Sequence, residues 1–96
     1  MMCRTLVVNK RFHVATANDV YIGRPSMVGN PFAIGPYGNR EEVIAKFEHH
    51  ARERIKTDKV FREYVKGLHG RTLVCWCKPQ ACHGDVLVQL SKELQS

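Results

Sequence analysis

At 96 residues the chain makes a single domain with a core of modest depth. Its 44% hydrophobic and 25% charged residues exclude a disordered chain, and no run approaches the roughly 18 apolar residues of a membrane span. Fifteen Lys and Arg against nine Asp and Glu leave a charge of +6, a field that favours phosphorylated small molecules, nucleic acid or an acidic protein surface.

The opening "MMCRTLVV" is too short an apolar stretch for a signal peptide and reads as the approach to a strand. The expected location is therefore the cytoplasm, with no membrane partner. Thiols stay reduced there, so a disulfide framework is the weak reading of Cys3, Cys75, Cys77 and Cys82.

Residues 5–9, "TLVVN", are β-branched and almost continuously apolar, which predicts a buried strand. A second short strand is predicted over 19–22, "DVYI", ending at Gly23. The gap between the two is too short for a crossover helix, so they either pair antiparallel or stand apart in the sheet. Residues 23–39, "GRPSMVGNPFAIGPYGN", hold glycines and prolines throughout, which rules out regular structure for most of them. Phe32, Ile34 and Tyr37 supply apolar anchors for an ordered loop.

Asn39 with Glu42 three residues on forms a capping-box pattern, and Val43, Ile44, Phe47, Ala51 and Ile55 recur at helical spacing behind it. A second helix is predicted from Thr57 or Asp58, with the stripe Val60, Phe61, Tyr64, Val65 and Leu68, closed by Gly67 and Gly70. A third strand over 71–77, "RTLVCWC", breaks at Lys78-Pro79. A last helix starts near Cys82 and turns Val86, Leu87, Leu90 and Leu94 inward.

The order β-β-α-α-β-α predicts one α/β domain over 1–96: a short, mostly parallel sheet with about three helices in two or three layers. Ligands in open sheets of this kind gather beyond the carboxyl ends of the strands. Asn9 to Arg11, Gly23 to Ser26 and the residues after Cys77 meet there.

The segment "LVCWCKPQACHGDVL" concentrates the chemistry. Strand alternation turns Cys75 and Cys77 to one side and Trp76 to the other. Cys82 and His83 open the final helix, where the dipole favours anions and the thiolate, and Asp85 in the first turn could orient His83. Three readings compete. In one, Cys77 or Cys82 is a reactive thiol with His83 as acid/base. In another, Cys75, Cys77, Cys82 and His83 bind zinc, although their spacing is not the usual paired C-x2-C and neighbouring Cys82 and His83 converge poorly on one ion. In the third, the cysteines are small buried hydrophobes and His83 caps the helix. No other cofactor is indicated.

The loop "IGRPSMVGNPF" supplies Gly23, Arg24, Ser26, Gly29 and Asn30. Glycines let amides approach a ligand and an arginine forks onto phosphate or carboxylate. The pattern matches neither of the common phosphate-binding glycine motifs. Among the remaining histidines, His50 sits on the flank of the first helical stripe, His49 faces outward and His69 ends the second helix.

"VVNKR", "VYIGRPSMVGNPF", "GNREEVIAKF" and "LVCWCKPQACHGDVL", in this order, resemble the family called domain of unknown function 4326, small proteins common in bacteria and their phages. The resemblance covers nearly the whole chain, and its matching positions include Asn9, Arg24, Asn30, Arg40, Glu41, Trp76, Cys82, His83 and Asp85. The Cys-His helix start is also similar, over a short stretch, to domain of unknown function 488.

Taken together, these features lead to the expectation of an anion-binding cleft for a nucleotide-like or phosphorylated ligand. Asn9, Gly23, Arg24, Ser26, Gly29 and Asn30 hold the ligand, and Cys77, Cys82, His83 and Asp85 stand ready for catalysis. The alternatives are a non-catalytic basic module gripping nucleic acid or a host protein, and a small zinc protein.

Overall fold

The computed structural model describes residues 5–23, 26, 28–76 and 80–95, so Cys3, Arg24 and Cys77 lie outside the described residues. Three short, β-branched runs form one parallel sheet: β1 (Leu6–Asn9), β2 (Asp19–Tyr21) and β3 (Thr72–Cys75). The sheet order is β1-β3-β2, with Val7 and Val20 both in register with Leu73. The first two strands are therefore parallel and held apart by the third. Residues 10–18 carry the chain back to the amino end of β2. His13 Nε2 meets Asp19 Oδ1 at 2.9 Å, and the Thr16 amide donates to Asp19 Oδ2 at 3.1 Å. The Thr16 amide, then His13, holds the Asp19 carboxyl below its usual range.

Three helices follow the sequence pattern: α1 (Arg40–Thr57), α2 (Lys59–Lys66) and α3 (His83–Glu93). At the start of α1, Asn39 Oδ1 accepts from the Glu42 amide and Glu42 Oε1 accepts from the Asn39 amide, both at 2.9 Å. Asp58, not Thr57, caps α2 through the Phe61 amide at 3.0 Å.

The three helices pack on one another, and α3 also packs on β1. Their buried side chains, led by Phe47, Phe61, Val65, Leu87 and Leu90, form one cluster with Leu73 and Cys75. Alternation gives the other sheet face to Val8, Val74 and Tyr21. Among the described residues the domain is thus two-layered.

Two apolar patterns misled. Val60 is 67% exposed, since the expected stripe is wider than the single face that an eight-residue helix can bury. Phe61 and Val65 take that face, and Leu68 is buried just past the helix end. In the long loop Ile34 and Tyr37 are exposed, and the loop is anchored by fully buried Val28 and half-buried Phe32.

Candidate functional site

Because all three strands run the same way, their carboxyl ends share one edge, where β2 leads into the glycine–proline loop and β3 leads toward α3. A hollow of about 200 Å³ opens at this edge. The loop contributes Gly23, Asn30, Phe32 and Ile34, while α1 contributes Arg40, Val43 and Ile44. The far wall is Cys75, Trp76, Ala81, Cys82 and His83.

His83 is buried and fixed at both ring nitrogens. Its Nε2 lies 2.8 Å from the main-chain oxygen of Ile22, its Nδ1 lies 3.6 Å from Cys82 Sγ, and its ring stands edge-on to Phe47 at 5.0 Å. A carbonyl only accepts, so Nε2 carries a proton, and Nδ1 is the ring nitrogen that faces the Cys82 sulfur. Ile22, not Asp85, orients the imidazole.

Cys82 is the N-cap of α3, its Sγ accepting from the Gly84 amide at 3.4 Å. Asp85 Oδ2 completes the box by accepting from the Cys82 amide at 3.2 Å. The expected role of Asp85 as an orienter of His83 is therefore replaced by a capping role.

Of the expected ligand-holding residues, Gly23 and Asn30 line the hollow. Asn30 donates to the Val43 oxygen at 3.2 Å and accepts from the Phe32 amide at 2.9 Å, which seats the loop on α1. Asn9 fastens strand ends instead: its Nδ2 donates to the Trp76 oxygen at 3.2 Å and its Oδ1 accepts from the Arg11 amide at 2.8 Å. Ser26 and Gly29 form a turn, with the Gly29 amide on the Ser26 oxygen at 3.1 Å, and Ser26 Oγ is buried with no hydrogen-bond partner among the described residues. Arg24 and Cys77 lie outside the described residues.

Cys75, Cys82 and His83 all border the hollow, yet no group of three or more His, Cys, Asp or Glu among the described residues is arranged to hold a metal ion. Cys77, the fourth member of the expected zinc set, is not described. Cys75 and Cys82 are both buried. No described helix is long and apolar enough to cross a membrane.

The family described as domain of unknown function (DUF4326) matches residues 7–93. The chain belongs to DUF4326. This DUF4326 chain is 34% identical over 93 residues to an uncharacterized 12.4 kDa protein of the nrdA-td intergenic region of Enterobacteria phage T4, covering 97% of this chain and 81% of that one. It is 33% identical over 95 residues to uncharacterized protein R718 of Acanthamoeba polyphaga mimivirus, covering 80% of this chain and 69% of the relative. No solved structure matches it.

The DUF4326 hollow also contains an arginine that the loop motif does not include. Arg40 opens α1, and its Nη1 donates to the Ala81 oxygen at 3.1 Å, linking that helix to the approach of α3. A cation at the positive end of a helix opposes the dipole, and that misfit is the sequence signal that marks it.

Proposed function

We propose that this protein binds a phosphorylated, nucleotide-like small molecule at the carboxyl edge of its sheet. The observation that carries the reading is the shared hollow: Asn30 and Gly23 from the loop, Arg40 from α1, and Cys82 and His83 from α3 all border it. Small-molecule sites are typically concave, largely apolar and set with a few convergent polar groups. Phe32, Ile34 and Ile44 give this one its apolar wall, and the Arg40 fork supplies charge for a phosphate.

Size narrows the ligand. A hollow of about 200 Å³ falls below the roughly 300–1,000 Å³ usual for drug-sized ligands, so it suits one portion of a nucleotide rather than the whole. A phosphorylated sugar inside, with the remainder of the compound at the rim, fits that volume and the position of Arg40.

A second reading, that the bound compound is also cleaved, is favoured by the 3.6 Å approach of Cys82 Sγ to His83 Nδ1. The thiol proton would pass to Nδ1 as sulfur bonds to the electrophilic carbon or phosphorus. The bond from that carbon or phosphorus to the departing oxygen would break as the imidazolium returns the proton to it. Water would then hydrolyse the sulfur adduct and restore the thiol.

The test is a melting-temperature screen with nucleoside monophosphates, sugar phosphates and inorganic phosphate. Saturation at a hundred times Kd stabilises by about 2.7 kcal/mol, a rise on the order of 10 °C for a domain this size. The expected result is such a rise, lost in Arg40→Ala. A flat response across the set, or an equal rise in that variant, overturns the reading.

A further inference from the structure

We propose that the sheet face turned away from the helices binds single-stranded nucleic acid, on a surface that meets the hollow at Trp76 but takes its cations from Lys10 and Arg11 rather than Arg40. The observation is a cluster joining the ends of all three strands. Trp76, just past β3, donates Nε1–H to the Tyr21 hydroxyl at 3.1 Å, and Lys10, just past β1, places Nζ 5.6 Å from the centre of the Tyr21 ring. Arg11 follows, with its guanidinium 5.7 Å from the centre of the Phe12 ring.

Alternation puts this cluster opposite the core. Leu73 and Cys75 turn toward the helices, so Val74 and Trp76 turn away, and Tyr21 shares the side of Val74, its register partner. The indole is 57% exposed and the Phe12 ring 76% exposed. An exposed tryptophan fixed in orientation by a hydrogen bond has an apolar surface to offer and little rotamer freedom left to lose.

The combination specifies the occupant. Proteins that bind single strands present aromatic rings for bases to stack on, beside cations that follow the phosphates. Here Trp76 is the stacking ring and Tyr21 its anchor. Lys10 and Arg11 stand beside the rings, in a chain whose formal charge is +6. An acidic protein would use the cations and leave the indole without purpose. A second copy of this chain would bring like charges together.

Trp76 is the chain's one tryptophan and also borders the hollow, so its fluorescence reports binding at either place and the variants below assign it. The wild-type chain is titrated at low salt with oligothymidylate of about ten nucleotides, an RNA of equal length, and a duplex. Expected are quenching by the single strands, weaker or no response to the duplex, and affinity that falls steeply with salt. By fluorescence anisotropy of a labelled strand, Trp76→Ala weakens binding on the order of tenfold or more. Lys10→Glu and Arg11→Glu each weaken it and flatten the salt slope by roughly 0.7 for every phosphate no longer neutralised.

Lys59→Glu, on the exposed start of α2, makes the same charge change elsewhere and serves as the control. Circular dichroism confirms that each variant is folded. The proposal is overturned by absence of binding to both single strands, by duplex binding of equal strength, or by folded Trp76→Ala and Lys10→Glu chains that bind like wild type. Arg40→Ala is expected to keep strand binding by anisotropy while losing the phosphate-induced melting shift. Loss of strand binding in that variant places the strand in the hollow and overturns the proposal.

Discussion

His83 Nε2 lies 2.8 Å from the main-chain oxygen of Ile22, which fastens the mouth of α3 to the exit of β2. With the Trp76–Tyr21 hydrogen bond and the pairing of β2 with β3, this bond joins the two sequence motifs at the carboxyl edge. Replacing His83 with Ala leaves the buried Ile22 oxygen without this donor and opens space beside Phe47. The expected loss is about 2 kcal/mol or more in denaturant unfolding. His83→Gln, which can still donate to that oxygen, should recover part of it. Equal loss in both variants would mean that the bond contributes nothing.

Cys82 has two separable roles. As N-cap it accepts from the Gly84 amide, and as a thiol it faces Nδ1 of His83. Serine is a better cap than alanine, so Cys82→Ser should melt close to wild type while Cys82→Ala loses about 1 kcal/mol. If the pair has chemistry to perform, both variants lose turnover while ligand-induced stabilisation survives in the serine form. Thermal melts with and without the phosphorylated compound separate the two roles.

How much of this arrangement was legible in the sequence depended on how local its physics is. The start of α1 was fully readable, because Asn39 and Glu42 satisfy each other within four residues. The placement of β1 and β2 was not. Nine connecting residues fit either an antiparallel pair or a return past an intervening strand, and only the insertion of β3 between them decides it. Cys82 and His83 were visible as a helix mouth, but the group orienting His83 comes from 61 residues away as a main-chain oxygen, which has no residue signature. The same holds for Arg40, whose partner is the Ala81 oxygen.

Gly84 brings the α3 backbone close against the side chains of Ile22 and Val7. A methyl group built on it would lie 2.8 Å from Ile22 Cδ1 and 2.9 Å from Val7 Cγ1, both belonging to packed side chains. Alanine ordinarily favours a helix over glycine by about 1 kcal/mol. Crowding of a packed core costs about 1–3 kcal/mol, so Gly84→Ala should destabilise on balance. Because α3 would be pushed off β1 and the Ile22 segment, the nearby hollow should change shape as well. A variant more stable than wild type in urea would contradict the close approach.

Acid should loosen the outer side of the helix layer through Arg52 and Glu93. Arg52 Nη1 and Nη2 meet the two Glu93 oxygens at 2.9 and 3.1 Å, bridging α1 to α3, while Nε holds Glu48 at 2.8 Å. The Arg52 hydrogen bonds, then Gln89, lower the Glu93 carboxyl to about 2. A carboxyl depressed in the folded state stabilises above its ordinary value of 4.5, and that contribution disappears as pH falls toward about 2. Solvent reaches both side chains, so the effect is modest and shrinks in high salt. Glu93→Gln should melt below wild type at neutral pH, and the two curves should converge as pH falls through that window. Curves that stay parallel throughout would show that Glu93 carries none of the acid sensitivity.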